Sequence, residues 1–332
     1  MSFIVQREGT NLADHRLGAE VVAVTDEFFA PCIRMLNPEP PVFIEGKYDE
    51  NGKWMDGWES RRKRIAGNDN CIVRLAVPGV VQKIEIDTSH FIGNFPPHAS
   101  LEACFTNDKT PSKKAQWTTL LDRVELVKDN QHIYDVSHSD AFSHVRLSIF
   151  PDGGIARLKV YGEPQSNALL NKPTDSAIDL VALFNGGRVI ACSDQGFGSS
   201  MAKLNYPDRG RNMGDGWETA RRRIPGNEWV ILQLAKPGLL ESIELDTAHY
   251  KGNFPDRASV QAALLEQSTI EEAVNQSLFW KEVLGEKKLE ADAINRFVLN
   301  GSKQSPITHV KINIIPDGGL SRVKLFGSFV ND

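Results

Sequence analysis

The sequence predicts an all-β protein built from two tandem β-sandwich domains of the jelly-roll type. Three observations carry this. Residues 56–100 and 215–259 align without a gap and agree at more than half of their positions. A second block recurs, HVRLSIFPDGGIARLKVYG at 144–162 and HVKINIIPDGGLSRVKLFG at 309–327. Between turn signals the apolar residues fall on alternate positions, the period of a half-buried strand. A repeat of about 160 residues is domain-sized and too long for a solenoid unit.

Each copy opens on a short apolar stretch after glycine, GAEVVAVTDEFF at 18–29 and GGRVIACSDQGF at 186–197. An irregular segment rich in Pro, Gly and Asn follows, then the DGWE block. CIVRLAV and VILQLAK read as strands that end at a Pro-Gly turn, and VQKIEID and LESIELD alternate cleanly after it. SLEACF, HVRLSIF and ARLKVYG keep the same period, with Pro-Asp-Gly-Gly marking a turn. Many short strands joined by such turns indicate a sandwich or jelly roll. Residues 268–278, STIEEAVNQSL, fit one helix confined to the second copy. The polar stretch 163–176 holds two prolines and matches nothing in the other copy. It divides the chain into a first repeat at 1–165, a linker at 166–176 and a second repeat at 177–332.

Composition bounds the function. With 332 residues, 41% of them hydrophobic and 24% charged, the chain is ordinary for a globular protein, and each repeat can bury a core. A net charge of −5 leaves no electrostatic footprint for nucleic acid. The basic run RRKR at 61–64 recurs as RRR at 221–223 inside a folded motif, which favours a structural or anion-binding role. Cys32, Cys71, Cys104 and Cys192 form no CxxC pair and none is matched by cysteine in the other copy, so a disulfide framework or zinc site is not expected. There is no secretory leader pattern and no run of membrane-spanning length, so the expected compartment is the cytoplasm. Walker A, dinucleotide-glycine, GxSxG and HExxH signatures are all missing.

Three repeated constellations carry candidate chemistry. The first, D-T-x-H-x-x-G-N-F-P at 87–96 and 246–255, follows the end of an alternating strand, where binding groups gather. It contains His90 and His249, and an imidazole is a side chain suited to moving protons. Asn94, Asn253, Thr88 and Thr247 can hydrogen-bond a urea-like group. Asp87 and Asp246 assist the histidines or cap the turn. The second is W-E-x-x-R-x-R-I at 58–65 and 217–224. Glu59 and Glu218 serve as acids or bases, and Arg62, Arg64, Arg221 and Arg223 offer forks for a carboxylate. An internal Glu–Arg ion pair holding the loop is the competing reading. The third is P-D-G-G-x-x-R. Its Asp152 and Asp317 read as turn residues, while Arg157 and Arg322 reach a site or pair with an acid. The recurring strand histidines His144 and His309 read as structural.

These blocks resemble allantoicase. The resemblance rests on DEFFAP at 26–31, PVFIEGKYDENGKWMDGWESRRKR at 41–64 and PGVVQKIEIDTSHFIGNFPP at 78–97. In the second copy it rests on GDGWETARRR at 214–223, IELDTAHYKGNFPDRASV at 243–260 and PDGGLSRVKLFG at 316–327. It spans nearly the whole chain. It implies galactose-binding-like jelly rolls assembled into a homo-oligomer, trimer or hexamer. It also implies hydrolysis of a small ureide, allantoate, to (S)-ureidoglycolate and urea in purine breakdown through allantoin. For that reaction arginine suits the carboxylate, Asn and Thr the ureido arms, and His with Asp or Glu the proton transfers. No cofactor is required by the sequence, a divalent cation such as manganese is expected at most to stimulate, and no metal ligand is assigned. No nucleic-acid or membrane partner is implied. The copies differ: FFAP faces GFGS, and Arg61 faces Ala220. One shared site or one per repeat therefore stays open. Two other readings are a tandem jelly-roll binder of carbohydrate or another ligand without catalysis, and a hydrolase or lyase acting on ureidoglycolate.

Overall fold

The computed structural model describes residues 3–6, 9–165, 177–197, 199–299 and 305–330. Strand accounts for 46% and helix for 9%, so the class is all-β, with two tandem repeats. The chain divides into two compact units, Glu8–Gln165 and a second that joins Met1–Arg7 to Ser166–Asp332. The start of the chain thus goes with the second unit, whereas the division at 1–165 gives it to the first repeat. The reason is pairing: Ile4–Val5 lies antiparallel to Arg188–Cys192, and Phe3 meets Trp229. The expected linker 166–176 lies outside the described residues.

One long strand organises each unit. Asp69–Asp87 alternates buried and half-buried residues over most of its length, as period-two patterning requires. Its first part pairs with Glu20–Val24 and Ala141–Phe150, and its last part with Gln131–Asp135 and Arg157–Pro164. The change of partners falls at Pro78-Gly79. Proline has no N–H for the ladder, so it belongs at such a break. Glu228–Asp246 repeats this arrangement in the second unit, with Pro237-Gly238 at the change. The inward side chains, such as Val73, Ile84, Leu101 and Leu147, or Val230, Ile243, Val260 and Ile312, make the two cores. Trp58 and Trp217 are wholly buried, and each indole N–H donates 2.8 Å to a carbonyl, of Asp26 or Asp194.

The helix confined to the second copy is present at Ile270–Gln276. Thr269 and Glu272 close a capping box at its start. The four cysteines are free and buried. His144 and His309 are structural as expected. Each ring lies 2.9 Å from the preceding hydroxyl, Ser143 or Thr308, and burial pushes the His309 imidazole down to about 4. No helix among the described residues is long and apolar enough to cross a membrane.

Arg157 and Arg322 answer the question their motif left open: they pair with an acid. Both are fully buried. Arg157 donates to the Glu39, Asp56 and Ala156 carbonyls and to the Asp56 carboxylate at 2.5 Å. Arg322 donates to the Asp208, Asp215 and Ser321 carbonyls and to the Asp208 carboxylate at 2.8 Å. Each guanidinium therefore bolts a long irregular loop to the last strand of its unit. Arg157→Met should destabilise the first unit by about 3–5 kcal/mol, because it strands a carboxylate and several carbonyls inside the protein. Urea unfolding followed by circular dichroism measures this, and a loss below about 1 kcal/mol would contradict the bolting role.

Candidate active site

The D-T-x-H loop follows directly from the end of the long strand. Asp87 and Asp246 close the turn by accepting from the Ser89 and Ala248 N–H groups at 2.7 and 2.8 Å. Thr88 and Thr247 are buried, and their hydroxyls are already occupied. Thr88 donates to the Val127 and Asn130 carbonyls and accepts from the Asn130 N–H; Thr247 does the same with Glu290 and Ala293. Their geometry is that of turn anchors, not of groups facing a ligand.

The histidines sit where a turn normally places glycine or asparagine. The Phe91 N–H returns to the Thr88 carbonyl and the Tyr250 N–H to Thr247, so His90 and His249 occupy the third turn position, with φ of +69° and +71°. A left-handed residue with a Cβ costs roughly 1–2 kcal/mol and needs a local reason to persist. The reason is an aspartate that sequence reading missed in both copies. Asp129 accepts the His90 N–H at 2.8 Å, and Asp292 accepts the His249 N–H at 2.7 Å. The aspartate lies 39 residues beyond the histidine in one copy and 43 in the other. The unequal spacing hid the correspondence.

Each imidazole is half-buried and oriented by a carbonyl. His90 Nε2 lies 3.2 Å from the Pro41 oxygen, and His249 Nε2 lies 2.7 Å from the Gly210 oxygen. A carbonyl only accepts, so Nε2 carries the hydrogen, and in the neutral imidazole the lone pair is then on Nδ1. Phe43 also stacks on His90, with centroids 5.9 Å apart.

Asn94 and Asn253 are paired with Glu59 and Glu218. The Asn94 amide donates 2.7 Å to Glu59, and the Asn253 amide donates 2.6 Å to Glu218. Among the described residues neither glutamate makes the internal ion pair with arginine. Burial pushes the Glu59 carboxyl above its usual value, the Asn94 amide partly offsets this, and the Asp49 charge adds to it. The turn in Pro-Asp-Gly-Gly supports the same corner. A Cβ on Gly154 or Gly319 would overlap the ring of Phe91 or Tyr250, the residue after each histidine. In the second copy the segment 210–213 meets the whole loop. Gly210 takes His249, the Met213 carbonyl takes the Tyr250 hydroxyl at 2.6 Å, and the Met213 sulfur lies 3.7 Å from the Asn253 amide.

The basic run splits by alternation. Lys63 and Arg222 turn inward to Asp69 and Glu228, at 2.6 and 2.5 Å. Arg62, Arg64, Arg221 and Arg223 are exposed, and among the described residues none is tied to the histidine or asparagine of its repeat. The structure therefore pairs Asn with Glu in each repeat, places the histidine in the same loop as that Asn, and leaves these four arginines on the surface. Among the described residues no group of three or more His, Cys, Asp or Glu side chains could hold a metal ion. A cavity of about 750 Å³ in the second unit, lined by Leu264, Phe279, Trp280 and Val298 among others, contains none of the repeated motif residues.

Known proteins match this chain along nearly its whole length. The family model described as allantoicase repeat matches residues 10–165 and again 178–330. The chain belongs to the allantoicase family. A probable allantoicase 2 of Burkholderia pseudomallei is 51% identical over 97% of this chain and 95% of its own. A probable allantoicase of Pseudomonas fluorescens is 51% identical over 96% and 95%. The crystal structure of allantoicase from Saccharomyces cerevisiae superposes with a TM-score of 0.80 at 31% identity, covering 96% of this chain and 93% of that one.

The aspartate clamp is testable by stability alone. Asp292→Ala should lower the unfolding temperature by removing the charged acceptor of the left-handed histidine, while Asp292→Asn, which still accepts, should lower it by less than half as much. Thermal unfolding compares the two, and equal losses would argue against the clamp.

Proposed function

We propose that this protein is an allantoicase that hydrolyses allantoate to ureidoglycolate and urea. The observation that carries the reading is the Asn–Glu pair repeated on the loop of each histidine, set in a chain that matches the family along nearly its full length. Allantoate has one carboxylate and two ureido arms on a central carbon. Water must attack that carbon as the C–N bond breaks, and the leaving nitrogen must gain a proton. Within a repeat, the histidine Nδ1 takes the proton of water, and the glutamate supplies one to the leaving nitrogen. The asparagine orients the glutamate and contacts a ureido arm. Asp87 and Asp246 hold the turn beneath, as do Thr88 and Thr247. Arg62, Arg64, Arg221 and Arg223 guide the anion toward the site from the surface. The same reading expects a homo-oligomer, trimer or hexamer, working in the cytoplasm. It needs no nucleotide or flavin, and manganese at most stimulates.

Purified protein should release urea from allantoate. Folded protein that leaves allantoate intact near neutral pH, with and without divalent cations, would favour a binding protein instead. His249→Asn is the informative variant, because asparagine tolerates the left-handed backbone. It should lower kcat by roughly 10²–10⁴-fold with the unfolding temperature nearly unchanged. A loss of activity that only tracked falling stability would remove proton transfer from His249.

Glu59 adds a pH signature. Its raised pKa keeps it protonated to higher pH than an ordinary glutamate. Activity that needs this acid falls as pH rises through that value, and Glu59→Gln should remove the alkaline limb from the kcat profile. An unaltered limb would exclude Glu59 as its origin.

A further inference from the structure

The two repeats build the same corner but rim it differently, and hydrogen bonds fix which residues correspond. Arg157 and Arg322 donate to the carbonyls of Glu39 and Asp208. The Val42 and Arg211 N–H groups each donate 3.0 Å to the carboxylate of Asp56 or Asp215. The carbonyls of Pro41 and Gly210 orient the two histidines. Pro40 of the first repeat therefore stands where the second has Arg209, and Val42 where it has Arg211. Within the gapless motif, Ile92 stands where the second has Lys251. Three apolar positions in one repeat are cationic in the other.

Arg209 is placed as an anchor. Its Nε and Nη2 lie 3.1 and 3.4 Å from the two oxygens of Asp246. Asp246 is buried, two residues from Ala248, whose N–H it also accepts. Asp246 therefore grips one edge of the guanidinium from below. Half of the Arg209 side chain, 53%, is exposed, and no described residue bonds Nη1. The second edge of the fork is thus open on the residue next to Gly210, whose carbonyl orients His249, and a guanidinium edge of this kind binds a carboxylate bidentately. Asp292, the clamp of His249, is held below its usual carboxyl value first by the His249 N–H, against burial. The charges of Lys251 and Arg209 act in the same direction, so both cations lie near this aspartate. Charge balance alone does not demand the arginine: Asp87, the buried equivalent in the first repeat, has Gln131 at 3.5 Å and, among the described residues, no arginine.

We propose that Arg209 anchors the carboxylate of the substrate, so that the second repeat, and not the first, reads the anionic end of the ligand. The inference rests on the allantoate reading above and moves the anchor from the surface arginines to a residue outside the repeated motifs. Arg209→Gln keeps a hydrogen bond to Asp246 and removes the fork. It should raise KM for allantoate by about 10–100-fold, as expected for a lost charged hydrogen-bond pair, with kcat less affected and the unfolding temperature close to wild type. A purely structural arginine would instead lower the unfolding temperature and leave KM alone, which would overturn the proposal. Should Arg209→Gln fail to fold, Arg209→Lys carries the test. It retains a cation against Asp246 but has no second edge, so KM should still rise, and an unchanged KM overturns the anchor. Urea release by wild-type protein with KM unmoved in these variants defeats only the anchor. No urea release by the wild type defeats the allantoate reading itself and this inference with it.

Discussion

A guanidinium sealed away from water fixes the geometry of each repeat. Arg157 and Arg322 have no exposed surface to speak of, and their donors are matched by loop carbonyls and one carboxylate. Burying such a charge is tolerable only when its hydrogen bonds are filled. The loop must therefore hold its shape whenever the arginine is inside, and the loop supplies the carbonyl that orients the imidazole of His90 or His249. The last strand, the loop and the histidine are thus one mechanical assembly, although they are far apart in sequence.

On that assembly the histidine is held twice, by its backbone N–H and by its ring. Asp129 or Asp292 fixes the main chain in a left-handed state, and Pro41 or Gly210 fixes the tautomer. Placing histidine where glycine would be relaxed makes sense only if direction matters more than local stability. The neighbouring acid–amide pair is equally constrained, since Glu59 and Glu218 lie on short strands paired with the Gly-Gly turn. The frame is duplicated faithfully and the rim is not: the first repeat inserts the hairpin Tyr48–Asp49 with Gly52–Lys53 between Val42 and Asp56.

Much of this was legible in the sequence. Period two gave the strands, including both halves of Asp69–Asp87, because burial and pleat share that period. The repeat singled out His90, Asn94 and Glu59 with their partners, since identity between copies persists where geometry leaves no alternative. What escaped detection depends on partners distant in the chain. Thr88 looked like a ligand group because a sequence does not reveal that the Val127 and Asn130 carbonyls occupy its hydroxyl. The clamp Asp129 and Asp292 lay beyond the gapless block, past a helix that shifts the register. Arg62 and Lys63 looked alike, and only alternation along an extended segment sends one outward and the other to Asp69. Arg209 was invisible because a comparison that seeks identity between copies discards what distinguishes them.

The pairing of Ile4–Val5 with Arg188–Cys192 bears on how the molecule is made. The strand Ile4–Val5 leaves the ribosome roughly 180 residues before its hydrogen-bonding partner, on the order of ten to forty seconds of synthesis at ordinary elongation rates. The first repeat can complete its sheets during that interval, whereas the opening strand must wait without a ladder partner. Pairing across such a sequence separation carries a large loop-closure entropy if it precedes folding of the first repeat, and a much smaller one afterwards. Chain connectivity therefore imposes an order on assembly: a segment translated before the first repeat finds its place only after that repeat can fold.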